Sequence, residues 1–166
     1  MFWTVVDSPI DPLLLVGDET GLRELQMAPH SPPPGATEDA GPLAAAADQL
    51  AAYFAGEREA FRLPLAPVGT AFQRKVWAAL REIPYGRTTT YGELAAGLGQ
   101  PTAARAVGLA NGRNPIAVIV PCHRVIGRDG TLTGFGGGLD RKRWLLEHER
   151  AVLGGRTGEP VAAGLW

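Results

Sequence analysis

TYGELAAGLGQPTAARAVGLANG, residues 90–112, is the stretch that decides the fold of this 166-residue chain. Thr90-x-x-Glu93 has the form of a capping box and opens a short helix carrying Leu94, Ala95 and Leu98. Gly99-Gln100-Pro101 is a turn, and Pro101 suits the first turn of a further helix, Thr102 to Ala110, which Asn111-Gly112 stops. Helix, tight glycine turn, helix is the helix-turn-helix pattern. The second of these helices is built from Ala103, Ala104, Ala106 and Gly108 around a single charge, Arg105, so its backbone can come close to another surface. Small residues serve helix-on-helix packing equally well. Arg105 tilts the reading towards a nucleic-acid groove, because an arginine on a smooth face can enter a minor groove or fill a vacated base position.

Upstream, Thr70-x-x-Gln73 is another capping box, and its helix carries the apolar stripe Phe72, Val76, Trp77 and Leu80 before Ile83-Pro84-Tyr85-Gly86 ends it. The Pro and Gly cluster Pro64 to Gly69 precedes it, and there the charge reverses. Residues 1–69 hold 3 basic against 10 acidic side chains, residues 70–150 hold 12 against 6, and the tail from 151 adds nothing. A basic segment carried by an acidic partner suits a polyanion, although uneven salt-bridged surfaces fit the charge equally well. In the first half, Phe2–Val6, Leu13–Val16 and Leu22–Met27 read as a three-stranded meander. His30–Pro42 reads as a mobile loop, Leu43–Ala55 as a helix, and Phe61–Leu65 as a further strand. The expected class is α+β, with domains over 1–69 and 70–150 and a tail over 151–166.

No apolar run reaches the roughly 20 residues of a membrane span, and Met1–Ile10 lacks the features of a secretory signal, so a cytoplasmic protein is expected. The single cysteine, Cys122, cannot form an internal disulfide and is too little for a thiolate metal site. Neither a metal nor a cofactor is expected. Ile116–Val120 is a continuous apolar run, read as a buried strand or its approach, that ends at Pro121-Cys122-His123-Arg124. A free thiol is mostly protonated at neutral pH, so positive neighbours or a paired base must activate it. His123 and Arg124 are the candidates. Adjacent side chains need not face each other, which routes His123 to the sulfur through a water or a bend. An inert buried cysteine is the competing reading. In the last helix, Leu139–Arg150, Glu147 and Glu149 beside Arg141-Lys142-Arg143 read as solvated charges, unless a partner such as His123 makes one of them the orienting group of a triad. Gly136-Gly137-Gly138 lacks the context of a phosphate loop and reads as a wall that lets a ligand approach the backbone.

In order, the chain presents Tyr91-Gly-Glu-Leu-Ala, Ala103-Ala-Arg-Ala-Val-Gly, Asn114-Pro115, Pro121-Cys-His-Arg-Val, Gly134 to Gly138 and Glu149. That order resembles the O6-alkylguanine-DNA alkyltransferase family, also called methylated-DNA-protein-cysteine methyltransferase, over about Thr70 to Arg150. The first half resembles the family's variable N-terminal domain, which implies a small ribonuclease-H-like fold ahead of a mostly helical domain with a winged helix-turn-helix. The resemblance implies that Cys122 is the nucleophile, activated through a water by His123, which Glu149 holds. It implies a helix-turn-helix in the minor groove, with Ala103, Ala104 and Gly108 close to DNA and Arg105 filling the space of a flipped nucleotide. Tyr91 would assist rotation and protonate the departing guanine, Asn114 would link the recognition helix to the active-site turn, and Arg128 is a further DNA contact. Val125, Phe135 and Gly136 would line the guanine pocket. Phe135 departs from the family's usual tyrosine, so the ring stays and its hydroxyl is lost.

The implied activity is direct, single-turnover transfer of an alkyl group from O6 of guanine, with O4 of thymine as a further candidate, in double-stranded DNA to Cys122 after nucleotide flipping. No cofactor and no membrane partner are implied, and the protein is expected to be monomeric, with cooperative assembly on DNA left open. A non-enzymatic binder of alkylated DNA is the alternative, and Cys122 argues against it. A sequence-reading regulator and a cysteine hydrolase stand further off.

Overall fold

Leu13-Leu-Leu-Val16 is apolar on both faces, and it becomes a strand with neighbours on both sides. The computed structural model describes residues 1–132 and 135–157 and divides the chain into two compact units, one of Met1–Val68 with Pro115–Ile119, the other of Gly69–Asn114 with the chain from Val120. In the first unit β1 (Phe2–Val6), β2 (Leu13–Asp18) and β3 (Gly21–Met27) form the expected antiparallel meander. Leu13 to Val16 of β2 are wholly buried, each side chain worth roughly 1.5–3 kcal/mol of apolar transfer. The segment expected to be a mobile loop supplies a fourth strand, β4 (Thr37–Glu38), parallel to β1, in the order β3-β2-β1-β4. A 3₁₀ turn, Gly41–Leu43, leads into α1 (Ala44–Phe54), which buries Ala46, Leu50 and Tyr53 at helical spacing.

Phe61–Leu65 is not a strand. The Gln49 side-chain amide takes both backbone groups of Arg62, at 2.9 and 3.1 Å, and Pro64 has no N–H, so only an isolated bridge from Leu65 to Leu22 survives. Ile116–Val120 is not a strand either. Ile116 makes one bridge to Leu25, after which Ile119 N–H bonds Ala117 O (2.8 Å) around Val118 at φ 70°. That is a γ-turn of the strained hand, on a β-branched residue that strongly prefers extended backbone.

In the second unit α2 (Ala71–Leu80) starts on the full Thr70/Gln73 capping box and buries Val76, Trp77 and Leu80. β5 (Thr89–Thr90) runs into α3 (Tyr91–Gly97), where the Thr90 hydroxyl accepts from Glu93 N–H at 3.1 Å and the Glu93 carboxylate takes the Thr89 hydroxyl. The next helix, α4 (Ala104–Gly112), begins two residues later than expected and takes Asn111 and Gly112 into its last turn. Its inner face is Val107, Ala110 and Asn111, and the Trp77 indole N–H donates to Ala110 O at 2.8 Å, fixing α4 against α2. β6 (Val125–Ile126) pairs with β5, and α5 (Leu139–Thr157) extends seven residues into the expected tail. Gly134 of the glycine wall and residues 158–166 of the tail lie outside the described residues. Among the described residues no helix is long and apolar enough to cross a membrane.

Trp77→Phe removes the indole donor and part of the ring while keeping an apolar side chain. It is expected to cost about 1–3 kcal/mol in urea unfolding. A variant as stable as the native protein would show that the Trp77–Ala110 bond does not secure α4.

Candidate active site

Two unusual turns deliver the cysteine. Asn114 Nδ2 donates to Val120 O at 2.8 Å, and Cys122 N–H then bonds that same carbonyl across Pro121, whose φ of −81° and ψ of 64° make a second γ-turn, of the relaxed hand. Cys122, His123 and Arg124 follow as a single 3₁₀ turn, all three buried. Proline suits this bend because its φ is preset and the lost N–H is not needed there.

Glu149, fully buried on α5, organises what surrounds that turn. Its Oε1 accepts from Gly86 N–H (3.1 Å) and Arg124 Nε (2.8 Å), and its Oε2 accepts from Arg124 Nη2 (3.0 Å) and His123 Nε2 (2.6 Å). Burial opposes ionisation, but His123 and Arg124 outweigh it and hold this carboxyl well below the usual range. Arg124 also donates from Nη1 to Ile83 O (2.8 Å) and lies 5.5 Å from the Tyr85 ring centre.

An ionised Glu149 can only accept, so Nε2 of His123 carries the proton. Burial pushes the imidazole below its ordinary value, against the pull of Glu149. The neutral ring therefore keeps Nδ1 as a bare lone pair. Nδ1 is buried and has no hydrogen-bond partner among the described residues. Buried polar atoms rarely go unpaired, and a base awaiting a proton is one reason that they do.

Cys122 is 5% exposed, and burial pushes its thiol up, opposed by a hydrogen bond from the Asn114 side chain and by the charge of Lys142. This corrects two expectations. Arg124 does not activate the thiol, because Glu149 consumes its charge, and the sulfur rests as a thiol whose proton must be taken. The cation that acts on it is Lys142, fully buried on α5, with Nζ donating to Val125 O at 2.6 Å and its own value pushed down to about 8 by burial. Lys142 was read from sequence only as part of the basic cluster Arg141-Lys142-Arg143. A signal was present: Lys142, Leu145, Leu146 and Glu149 share one stripe of α5 at i, i+3, i+4 and i+7, all buried. Asn111, read only as a helix stop, is also buried and directs Nδ2 at Cys122 O, at 3.4 Å.

The remaining expected site residues are spread over adjacent elements of the same unit. Tyr91 stands at the start of α3, where its ring lies within 4 Å of where a Cβ on Gly108 would be. Arg105 is exposed on α4 and Arg128 is exposed in the turn after β6, while Ala103 is the N-cap of α4 and Ala104 its first residue. Val125 is buried at the start of β6, Phe135 is half-buried, and Gly136 approaches Gly112 O at the end of α4. Among the described residues no cluster of three His, Cys, Asp or Glu side chains could hold a metal.

Comparison with known proteins bears on this arrangement. The family model described as 6-O-methylguanine DNA methyltransferase, DNA binding domain, matches residues 71–151, and the ribonuclease-like domain of the same family matches residues 1–67. A methylated-DNA–protein-cysteine methyltransferase of Methanosarcina acetivorans is 53% identical over 153 residues, covering 90% of this chain and 98% of that relative. The enzyme of that name from Mycobacterium tuberculosis H37Rv is 55% identical over 152 residues, covering 90% and 92%. The crystal structure of Mycobacterium tuberculosis OGT in complex with DNA superposes with a TM-score of 0.88 at 54% identity, covering 92% of this chain and 94% of that one. The chain belongs to the 6-O-methylguanine DNA methyltransferase family.

Proposed function

We propose that this protein repairs DNA by moving an alkyl group from O6 of guanine in the duplex onto Cys122, once and irreversibly. The observation that carries the reading is the relay next to the cysteine: an ionised Glu149 fixing a neutral His123 whose buried Nδ1 has no hydrogen-bond partner among the described residues. His123 takes the thiol proton through an intervening water. The sulfur attacks the alkyl carbon in line, the S–C bond forms as the C–O bond breaks, and the guanine anion that leaves takes a proton from the Tyr91 hydroxyl. Lys142 and Asn114 stabilise the thiolate as it forms, and Lys142 also holds the Val125 carbonyl at the pocket wall.

The target carbon lies inside the base stack, so attack requires eversion of the nucleotide at a cost of a few kcal/mol. Arg105 offsets part of it by filling the gap from the exposed face of α4, with Ala103, Ala104 and Gly108 allowing the backbone close and Arg128 meeting phosphate. Phe135 and Gly136 complete the pocket. The thioether product has no ready leaving group, and Cys122 is the only cysteine, so each molecule acts once. The protein acts as a monomer in the cytoplasm without a cofactor, and alkylated O4 of thymine fits the same chemistry. A binder of lesions without chemistry is not favoured, since it gives the setting of Cys122 no purpose.

Incubation with duplex DNA containing O6-methylguanine should place one methyl group on the peptide containing Cys122, with activity lost mole for mole. Consumption of the lesion with Cys122 unmodified would overturn the reading. Glu149→Gln should abolish transfer and cost about 3–5 kcal/mol of stability, because Arg124 then keeps a buried charge without its partner. The pH dependence has a definite sign. Glu149 is held below its ordinary value of 4.5, so its contribution to stability is complete above that value and drains as pH falls through the folded one. Denaturant melts should show Glu149→Gln losing that acid-side slope, and a variant with native slope and native stability would contradict the role given to Glu149.

A further inference from the structure

Five large apolar side chains are exposed among the described residues, and only Leu109, at 63%, lies in the helix-turn-helix. The inner face of α4 is complete without it. Its outer face carries Arg105, Ala106, Leu109, Gly112 and Arg113, which places Leu109 one helical turn from an arginine on either side. No acidic residue occurs from Leu94 to Arg128, so the two cations meet no carboxylate from their own segment. The face carries no Asn, Gln, Ser or Thr, so apart from its two arginines it offers no polar side chain to read base edges. Around Leu109 the neighbours Ala106, Gly108 and Gly112 end at a methyl group or nothing, so on a groove approached this closely the leucine projects deepest apart from the arginines.

We propose that Leu109 is an apolar wedge that enters the minor groove one helical turn from Arg105, packs on the groove floor, and makes transfer sensitive to the base pairs flanking the lesion. This rests on α4 facing the DNA, as in the function proposed above. Helix residues one turn apart sit about 5–6 Å from each other, one to two base steps along the duplex, so Leu109 meets the pairs beside the everted nucleotide and not the lesion itself. Apolar side chains at that depth separate base steps and help hold a duplex bent. The floor of a G·C pair adds the guanine amino group to acceptors that all pairs share. Leucine gives that amino group no partner while excluding its water, so G·C flanks are disfavoured and A·T flanks preferred.

The test compares the native protein, Leu109→Ala and Leu109→Met in single-turnover alkylation of Cys122. The substrates are free O6-benzylguanine base and two duplexes carrying O6-methylguanine, one with A·T and one with G·C on both sides. The native protein should prefer A·T flanks several-fold. Leu109→Ala should react about tenfold more slowly on the A·T duplex, the loss expected for part of a leucine's contact, and should lose the preference. Leu109→Met should keep rate and preference, and all three should react alike with the free base and melt alike, because Leu109 is exposed. Native rates indifferent to flanking pairs, or Leu109→Ala as fast as native on the A·T duplex, would overturn the wedge and leave alkyl transfer standing. Failure of the native protein to alkylate Cys122 from any of the three substrates would instead sink the underlying reading and the wedge with it.

Discussion

A buried carboxylate with four donors around it is the constraint on which this site depends. Glu149 is charged where charge is costly, and it remains so because His123, Arg124 and the Gly86 amide fill both of its oxygens. Each partner is thereby restricted. Arg124 cannot serve the sulfur, Gly86 must keep its amide directed at α5, and His123 is left with one tautomer and one free nitrogen. Gly86 has φ 73°, and a Cβ there would meet the Leu153 side chain, so glycine is required at a point where the backbone itself is a ligand of the carboxylate.

The same economy explains a sulfur that looks poorly activated. Burial pushes the Cys122 thiol up, which keeps it from reacting with whatever reaches it and leaves activation to a base that acts when substrate is present. A buried thiol, a neutral base with an unused lone pair and a nearby buried lysine make a nucleophile whose charge develops only during attack. That suits a protein for which every reaction is terminal.

Much of this was legible in the sequence. Capping residues, glycine turns and helical stripes located the helices of the second half, because those signals are local. The order of short motifs marked Cys122, His123 and Glu149 as a set. What stayed hidden depends on contacts distant in sequence. Ile116–Val120 has strand composition, yet the chain bends there through a β-branched residue at positive φ, which no propensity suggests. Phe61–Leu65 lost its ladder to the side chain of Gln49. Arg124 read as a candidate partner of the thiol and Lys142 as one of a basic cluster, and only packing reveals that Arg124 is bound to the Glu149 carboxylate and that Lys142 is buried on the Val125 carbonyl. Leu109, an apolar residue on a helix, is left in solvent by the fold, which its residue type alone does not suggest.

The protonation state of His123 tests this account most directly. With the ring nitrogens labelled with ¹⁵N, NMR of the unreacted protein at neutral pH should show a neutral imidazole protonated at Nε2 and bare at Nδ1, persisting below pH 6.5 because burial lowers the ring's value from there. An imidazolium at neutral pH, or a ring protonated at Nδ1, would contradict it, for the sulfur would then have no base.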